Sequence, residues 1–194
     1  MSSKFVDIHT HHPTPEVLSP RTAGIHPWDA DKELILPDLS NADIIGETGI
    51  DRACGIDIER QTELFSWHLE QAEKLRKPVV LHVVRSFEQV VKILNFHSPK
   101  GVVFHGFIGS VEQAREALRR GYYLSFGERS LRSPRTREAI AATPLNRLFA
   151  ETDDNPELSI VTIYDAIAEI KGITREALAE EIEKNYKTLI ATNE

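Results

Sequence analysis

A short, nearly continuous apolar run ends in a polar residue and gives way to a helical pattern at seven places: Phe5–His11, Thr22–His26, Asp43–Glu47, Pro78–His82, Gly101–His105, Tyr122–Gly127 and Arg147–Asp153. Strands that are apolar at consecutive positions must be covered on both faces, unlike strands that alternate apolar and polar residues. Alternation with helices then points to a parallel sheet, because parallel neighbours need a crossover of a dozen or more residues, usually helical. The helices carry their own signals. Gln61 to Leu75 places Leu64, Phe65, Leu69, Ala72 and Leu75 at helical spacing, a stripe that faces a sheet. Ser86 with Gln89, and Ser110 with Gln113, have the spacing of a capping box. Two further helices are expected around Ser159–Ile170 and Thr174–Ile190, with Gly172 as the break between them.

Seven such units indicate a TIM-like (β/α) barrel, yet the 194 residues present fall short of the roughly 250 typical of that fold. The shortage lies in residues 12–21, where Pro13, Pro15 and Pro20 forbid a regular crossover helix. The expectation is a shortened or distorted barrel of seven parallel strands with one βα unit missing after the first strand, forming a single domain over residues 1–194. The balance of 23 basic against 30 acidic residues, net −7, argues against a broad electrostatic grip on duplex nucleic acid. It leaves phosphate substrates open, because bound divalent cations reverse the local field. No apolar run approaches the roughly 20 residues of a membrane helix, so no membrane partner is expected. Met1 to Asp7 lacks the basic start and apolar stretch of a signal peptide. The single cysteine, Cys54, cannot form an internal disulfide. The cytoplasm is the expected location.

The chemistry lies in what ends each run. His9 and His11 are two apart, so on a strand they share a face and can reach one cation. Glu47, His82, His105 and Asp153 close four further runs. In a (β/α) barrel, groups at strand C-termini gather at one mouth. Four histidines and two carboxylates converging there are the ligand stock of a Zn²⁺, Mn²⁺ or Mg²⁺ site.

The order of motifs resembles that of the TatD-type metal-dependent hydrolases: Asp7-x-His9-x-His11, Gly24-Ile25-His26-Pro27, Gly46-Glu47-x-Gly49-Ile50-Asp51, Gln61, Pro78-Val-Val-Leu-His82, His105-Gly-Phe-x-Gly-Ser110, Leu124-Ser-Phe-Gly127 and Glu151-Thr-Asp153. The resemblance spans nearly the whole chain. That family is similar to the amidohydrolase superfamily and is associated with metal-dependent deoxyribonuclease activity. It implies two divalent metal ions: His9, His11, Glu47 and Asp153 on one, and Glu47, His82 and His105 on the other, with Glu47 bridging. Two departures touch the substrate pocket: the ten-residue segment 12–21 is shorter than usual, and Val83-Val84 intervenes between His82 and Arg85 where the family has Ser-Arg directly.

Divalent cations acidify water enough to supply hydroxide near neutral pH, and Asp153 is the natural general base for it. Glu47 is essential in this scheme. His26 is read as a donor to the substrate oxygen that gains charge, beside the alternative of a structural histidine. Arg129, with Arg132, Arg135 and Arg137, and Arg85 at another strand end, are candidate substrate-binding guanidiniums suited to phosphate oxygens; an ordinary solvated helix start is the competing reading. His12, His68, His97 and Cys54 are read as packing or surface groups. Three functions follow: a phosphodiesterase or deoxyribonuclease acting on DNA; a hydrolase of a small amide, lactone or phosphoester; or an inactive metal- or partner-binding protein.

Overall fold

In the computed structural model of the chain, residues 4–33 and 35–191 are described. They fall into two compact units, Arg21–Phe104 and Met1–Pro20 with His105–Glu194.

The first unit holds four parallel strands in chain order, β1 (Thr22–Ala23), β2 (Ile44–Asp51), β3 (Val79–Val84) and β4 (Val102–Phe104). Helices α1 (Ile58–Leu75) and α2 (Phe87–Leu94) supply the crossovers. Ile44, Ile45, Ile50, Val79, Val80 and Leu81 are wholly buried, as two-sided coverage requires. On α1 the stripe of Leu64, Phe65, Leu69 and Ala72 is buried, whereas Leu75 is 37% exposed. The helix ends at that residue, because Arg76 turns left-handed (φ 52°). Ser86 precedes α2 but makes no side-chain cap bond. Its hydroxyl donates to the Ile50 carbonyl at 2.5 Å instead, and Gln89 accepts from Arg52 and donates to Thr62. The bond to a carbonyl of β2 thus takes the place of the cap that the spacing suggested.

His68, inside α1, has no exposed surface. Its Nε2 accepts the Ile25 N–H at 3.0 Å, so the proton sits on Nδ1, which faces the Leu64 carbonyl at 2.8 Å and the Thr48 hydroxyl at 3.0 Å. The ring thus ties α1 to β2 and to the segment after β1. Burial pushes its pKa down from 6.5 to about 4, since a second proton would be desolvated and would face the Ile25 N–H. Because the folded value lies below the unfolded one, the unfolded chain takes up this proton first as the pH falls. Stability from His68 is therefore complete above pH 6.5 and is lost progressively toward pH 4. Urea midpoints should drop over that window by an amount equivalent to about 3 kcal/mol. A His68→Gln variant should lack that part of the slope. Equal slopes in both proteins would show that His68 does not carry it.

Between Ile45↔Val79 and Thr48↔Leu81 the β2–β3 register shifts, so Gly46 and Glu47 stand opposite the single residue Val80. This bulge bends β2 and re-aims Glu47. Two glycines permit it. A Cβ on Gly46 (φ 132°) would lie 2.4 Å from the Val80 carbonyl oxygen, and one on Gly49 (φ 145°) 2.1 Å from that of His82. Gly49→Ala should therefore cost about 1–3 kcal/mol in urea unfolding, combining strain with displacement of β3. A neutral result would mean that the two strands separate freely.

The second unit holds the parallel pair β5 (Tyr123–Phe126) and β6 (Leu148–Ala150). Around them lie α3 (Val111–Arg119), α4 (Glu128–Arg132), α5 (Pro134–Ala142), α6 (Ile160–Lys171) and α7 (Arg175–Ile190). The Ser110–Gln113 capping box forms as expected, and Gly172 closes α6 in the left-handed conformation (φ 65°). The run Phe5–His11 is extended but makes isolated bridges rather than a continuous ladder. Asp7 N–H donates to Leu18, while Ile8 N–H donates to Ala150 and His11 N–H to Asp153. Successive donors thus turn to different partners. The Tyr164 hydroxyl donates to the Val6 carbonyl at 2.9 Å and accepts its N–H at 3.1 Å, pinning this run to α6. Residues 12–21 contain turns and one bridge but no helix, the expected consequence of their prolines. No helix among the described residues is long and apolar enough to cross a membrane.

Candidate metal centre

In the second unit, His9 and His105 are buried, with ring centroids 4.3 Å apart. Asp153, just past the end of β6 and left-handed at φ 59°, places Oδ1 3.6 Å from His9 Nε2 and 3.8 Å from His11 Nε2. His9 and His11 thus approach the same carboxylate oxygen, as their two-residue spacing requires. These separations are too long for hydrogen bonds. They match ligands on a common ion, which at metal distances of about 2.1 Å stand roughly 3.4 Å apart in a tetrahedral shell. His9, His105 and Asp153 bring one donor atom each within 4.8 Å of the others.

A buried polar layer supports this group. The Thr152 N–H and hydroxyl donate to Asp7 at 3.1 and 2.6 Å, joining the run before His9 to the residue before Asp153. Burial raises the Asp7 carboxyl to about 7, outweighing those two donors. Behind His105, Glu151 Oε1 lies 3.4 Å from Nδ1 and is 1% exposed. Burial pushes Glu151 upward, but the attraction of His105, and then of His9, holds it below the usual range. It is packed between Gly106 and Gly127, where added Cβ atoms would lie 3.3 and 3.2 Å from its side chain.

In the first unit, Glu47 Oε1 lies 3.2 Å from His26 Nε2 and 2.5 Å from His82 Nδ1. These three also offer donors within 4.8 Å of one another. His26 Nδ1 accepts the Trp28 N–H at 3.2 Å, so its other nitrogen carries the proton toward Glu47. His82 Nε2 faces Asp51 Oδ2 at 3.1 Å. The same oxygen accepts the Trp28 indole N–H at 2.7 Å, and Oδ1 accepts the Ala53 N–H at 2.7 Å. Burial works against the Asp51 anion, but Trp28, Ala53 and His82 together hold its pKa below the usual value. A neutral imidazole has one proton for two flanking carboxylates; a cation at the Nδ1 side would complete the arrangement, with Nε2–H fixed by Asp51. Imidazole nitrogens and carboxylate oxygens in these trios fit a divalent ion of the zinc or manganese kind.

The structure therefore groups His9, His11, His105 and Asp153 in one unit, and His26, Glu47 and His82 in the other. His26 stands beside Glu47, its Nε2 toward that carboxylate. Arg85 (φ 53°) and Arg129 are exposed, joined to neither group by a hydrogen bond or ion pair among the described residues. Arg132 pairs with Glu128, and Arg135 and Arg137 are exposed on α5. His12 is exposed, His97 lies 3.5 Å from Glu73, and the Cys54 thiol donates to the Asp51 carbonyl. Three supporting residues, Asp7, Asp51 and Glu151, stand inside the sequence motifs but were given no role by spacing alone. Trp28, directly after Pro27, carries no motif signal.

The family model described as TatD related DNase matches residues 8–191. An uncharacterized metal-dependent hydrolase of Buchnera aphidicola from Acyrthosiphon pisum is 32% identical over 204 residues, covering 87% of this chain and 75% of that protein. A Vairimorpha ceranae protein, named a candidate deoxyribonuclease homologous to TATDN1, is 30% identical over 190 residues, covering 84% and 71%. Among solved structures, the Escherichia coli TatD homolog YjjV superposes with a TM-score of 0.80 at 21% identity, covering 100% of both chains. A TatD-family hydrolase of Entamoeba histolytica gives 0.77 at 18%, covering 90% and 75%. The structural likeness establishes the fold, in the α/β class that the strand–helix alternation implies. With its family model matched from residue 8 to residue 191, this chain belongs to the TatD-related family of metal-dependent hydrolases.

Proposed function

We propose that the protein is a phosphodiesterase acting on DNA, with two divalent cations held by His9, His11, Glu47, His82, His105 and Asp153. The observation that carries this reading is the ligand-like spacing of His9, His11 and Asp153, 3.6 and 3.8 Å, in a chain of this family. The DNA preference draws on the relative named for deoxyribonuclease activity. The cations, when bound, acidify water and neutralise charge on the phosphoryl oxygens. Asp153, the more exposed carboxylate at 30%, accepts the proton from the attacking water. Glu47 is the acceptor that orients His26 and His82. His26 Nε2–H is placed to donate to an oxygen that gains charge once Glu47 is engaged by a cation. Arg85 and Arg129 are the guanidiniums available to more distant phosphates.

Protein purified without chelator should carry divalent metal by elemental analysis, near two equivalents, and should cleave a labelled oligonucleotide. Glu47→Ala should lower cleavage roughly a thousandfold or more. Bound metal without cleavage would move the search to small phosphoesters, amides or lactones. No metal uptake, even with added Mn²⁺ or Zn²⁺, would overturn the hydrolase reading in favour of a binding protein.

Asp51→Asn and Glu151→Gln remove the charge behind His82 and His105 while keeping shape. Each should weaken metal affinity about 10–100-fold in competition with a chelating dye. Unchanged affinity in both would show that the buried carboxylates only pack.

A further inference from the structure

Trp28 is 55% exposed, although a large aromatic surface in water forgoes hydrophobic stabilisation. It is not loose. It sits in the one-turn 3-10 helix Pro27–Asp29, its backbone N–H bonded to His26 Nδ1 and its indole N–H to Asp51 Oδ2 at 2.7 Å. The ring meets the His26 imidazole edge-to-face, with centroids 4.7 Å apart at 81°, and the His82 imidazole at 5.9 Å and 77°. An aromatic plane is therefore fixed against two of the three donors of the His26–Glu47–His82 trio, with half its surface open.

We propose that Trp28 is a stacking platform for the nucleobase next to the cleaved phosphodiester, and that it directs the enzyme to single-stranded DNA. This rests on the phosphodiesterase reading above. Stacking on an aromatic ring tolerates every base, because each has a π-face. A residue whose backbone N–H and ring N–H are both hydrogen-bonded loses little conformational freedom on binding. A base within a duplex is already stacked and must be extruded at a cost of a few kcal/mol, whereas a single strand or frayed end presents its base freely. The net charge of −7, unfavourable for gripping a duplex, is consistent with recognition of this neutral kind.

The chain has two tryptophans, so Trp67→Phe leaves Trp28 as the reporter. In that background, without added metal, a dT oligonucleotide should quench the fluorescence, and the corresponding abasic oligonucleotide should not. With metal, Trp28→Ala should raise KM for single-stranded oligonucleotide roughly tenfold or more. Placing an abasic residue beside the scissile phosphate should raise KM similarly in the wild type but by less than about twofold in Trp28→Ala. Trp28→Phe keeps the ring and loses the bond to Asp51. KM within about threefold of wild type is expected if stacking is the role. A Phe variant as impaired as Ala would assign Trp28 to holding Asp51 and would overturn the proposal, as would equal abasic penalties in wild type and Trp28→Ala. Quenching without cleavage of any DNA would keep the stacking surface and overturn the nuclease reading. Neither quenching nor cleavage would overturn both.

Discussion

No side chain fits between the backbones of β2 and β3 at Gly46 and Gly49, and the position of the Glu47 carboxylate depends on that contact. The extra residue in β2 opposite Val80 turns Glu47 away from the regular strand alternation. Gly49 then lets the strands close again with its Cα paired to His82. Glu47 and His82 therefore meet because two backbones touch, and the buried isoleucines and valines around them hold that contact under the full weight of the core. His68 adds a second constraint from α1 by occupying the Ile25 N–H and reaching Thr48 on either side of the same site.

Both donor groups follow one plan. An imidazole faces its trio with one side and a buried carboxylate with another: His82 against Asp51, His105 against Glu151. A carboxylate in so dry a place is tolerable only with donors or positive charge nearby. Asp51 has three such donors, and Glu151 leans on His105 and His9. These anions fix the rings' orientation and raise the local preference for a cation. Thr152 adds the same kind of support by clamping Asp7, which ties the run bearing His9 to the turn bearing Asp153.

The candidate donor positions were legible because each closes an apolar run, and a run's end can be read without knowing its neighbours. The Ser110 cap and the Gly172 break were legible for the same reason: both are settled within four residues of chain. The failures share the opposite cause. Ser86 has the spacing of a cap, but a carbonyl from β2, far away in sequence, claims its hydroxyl. Leu75 continues the stripe of α1 on paper and is exposed where the helix stops. The first run makes parallel bridges to both sides, and packing rather than sequence divides its donors between Leu18 and the pair Ala150 and Asp153.

Sequence alone therefore determined the strand–helix alternation, the family and the set of candidate donor side chains, all carried by local composition and motif order. Tertiary structure alone decided which donors stand together, that His26 joins Glu47 and His82, and that Asp51, Glu151 and Trp28 belong to their surroundings. The physical reason is that hydrogen bonds, desolvation and donor spacing act across residues 21 to 145 positions apart, as between His26 and Glu47 or Asp7 and Thr152. Those distances are set by packing, and no local pattern encodes them.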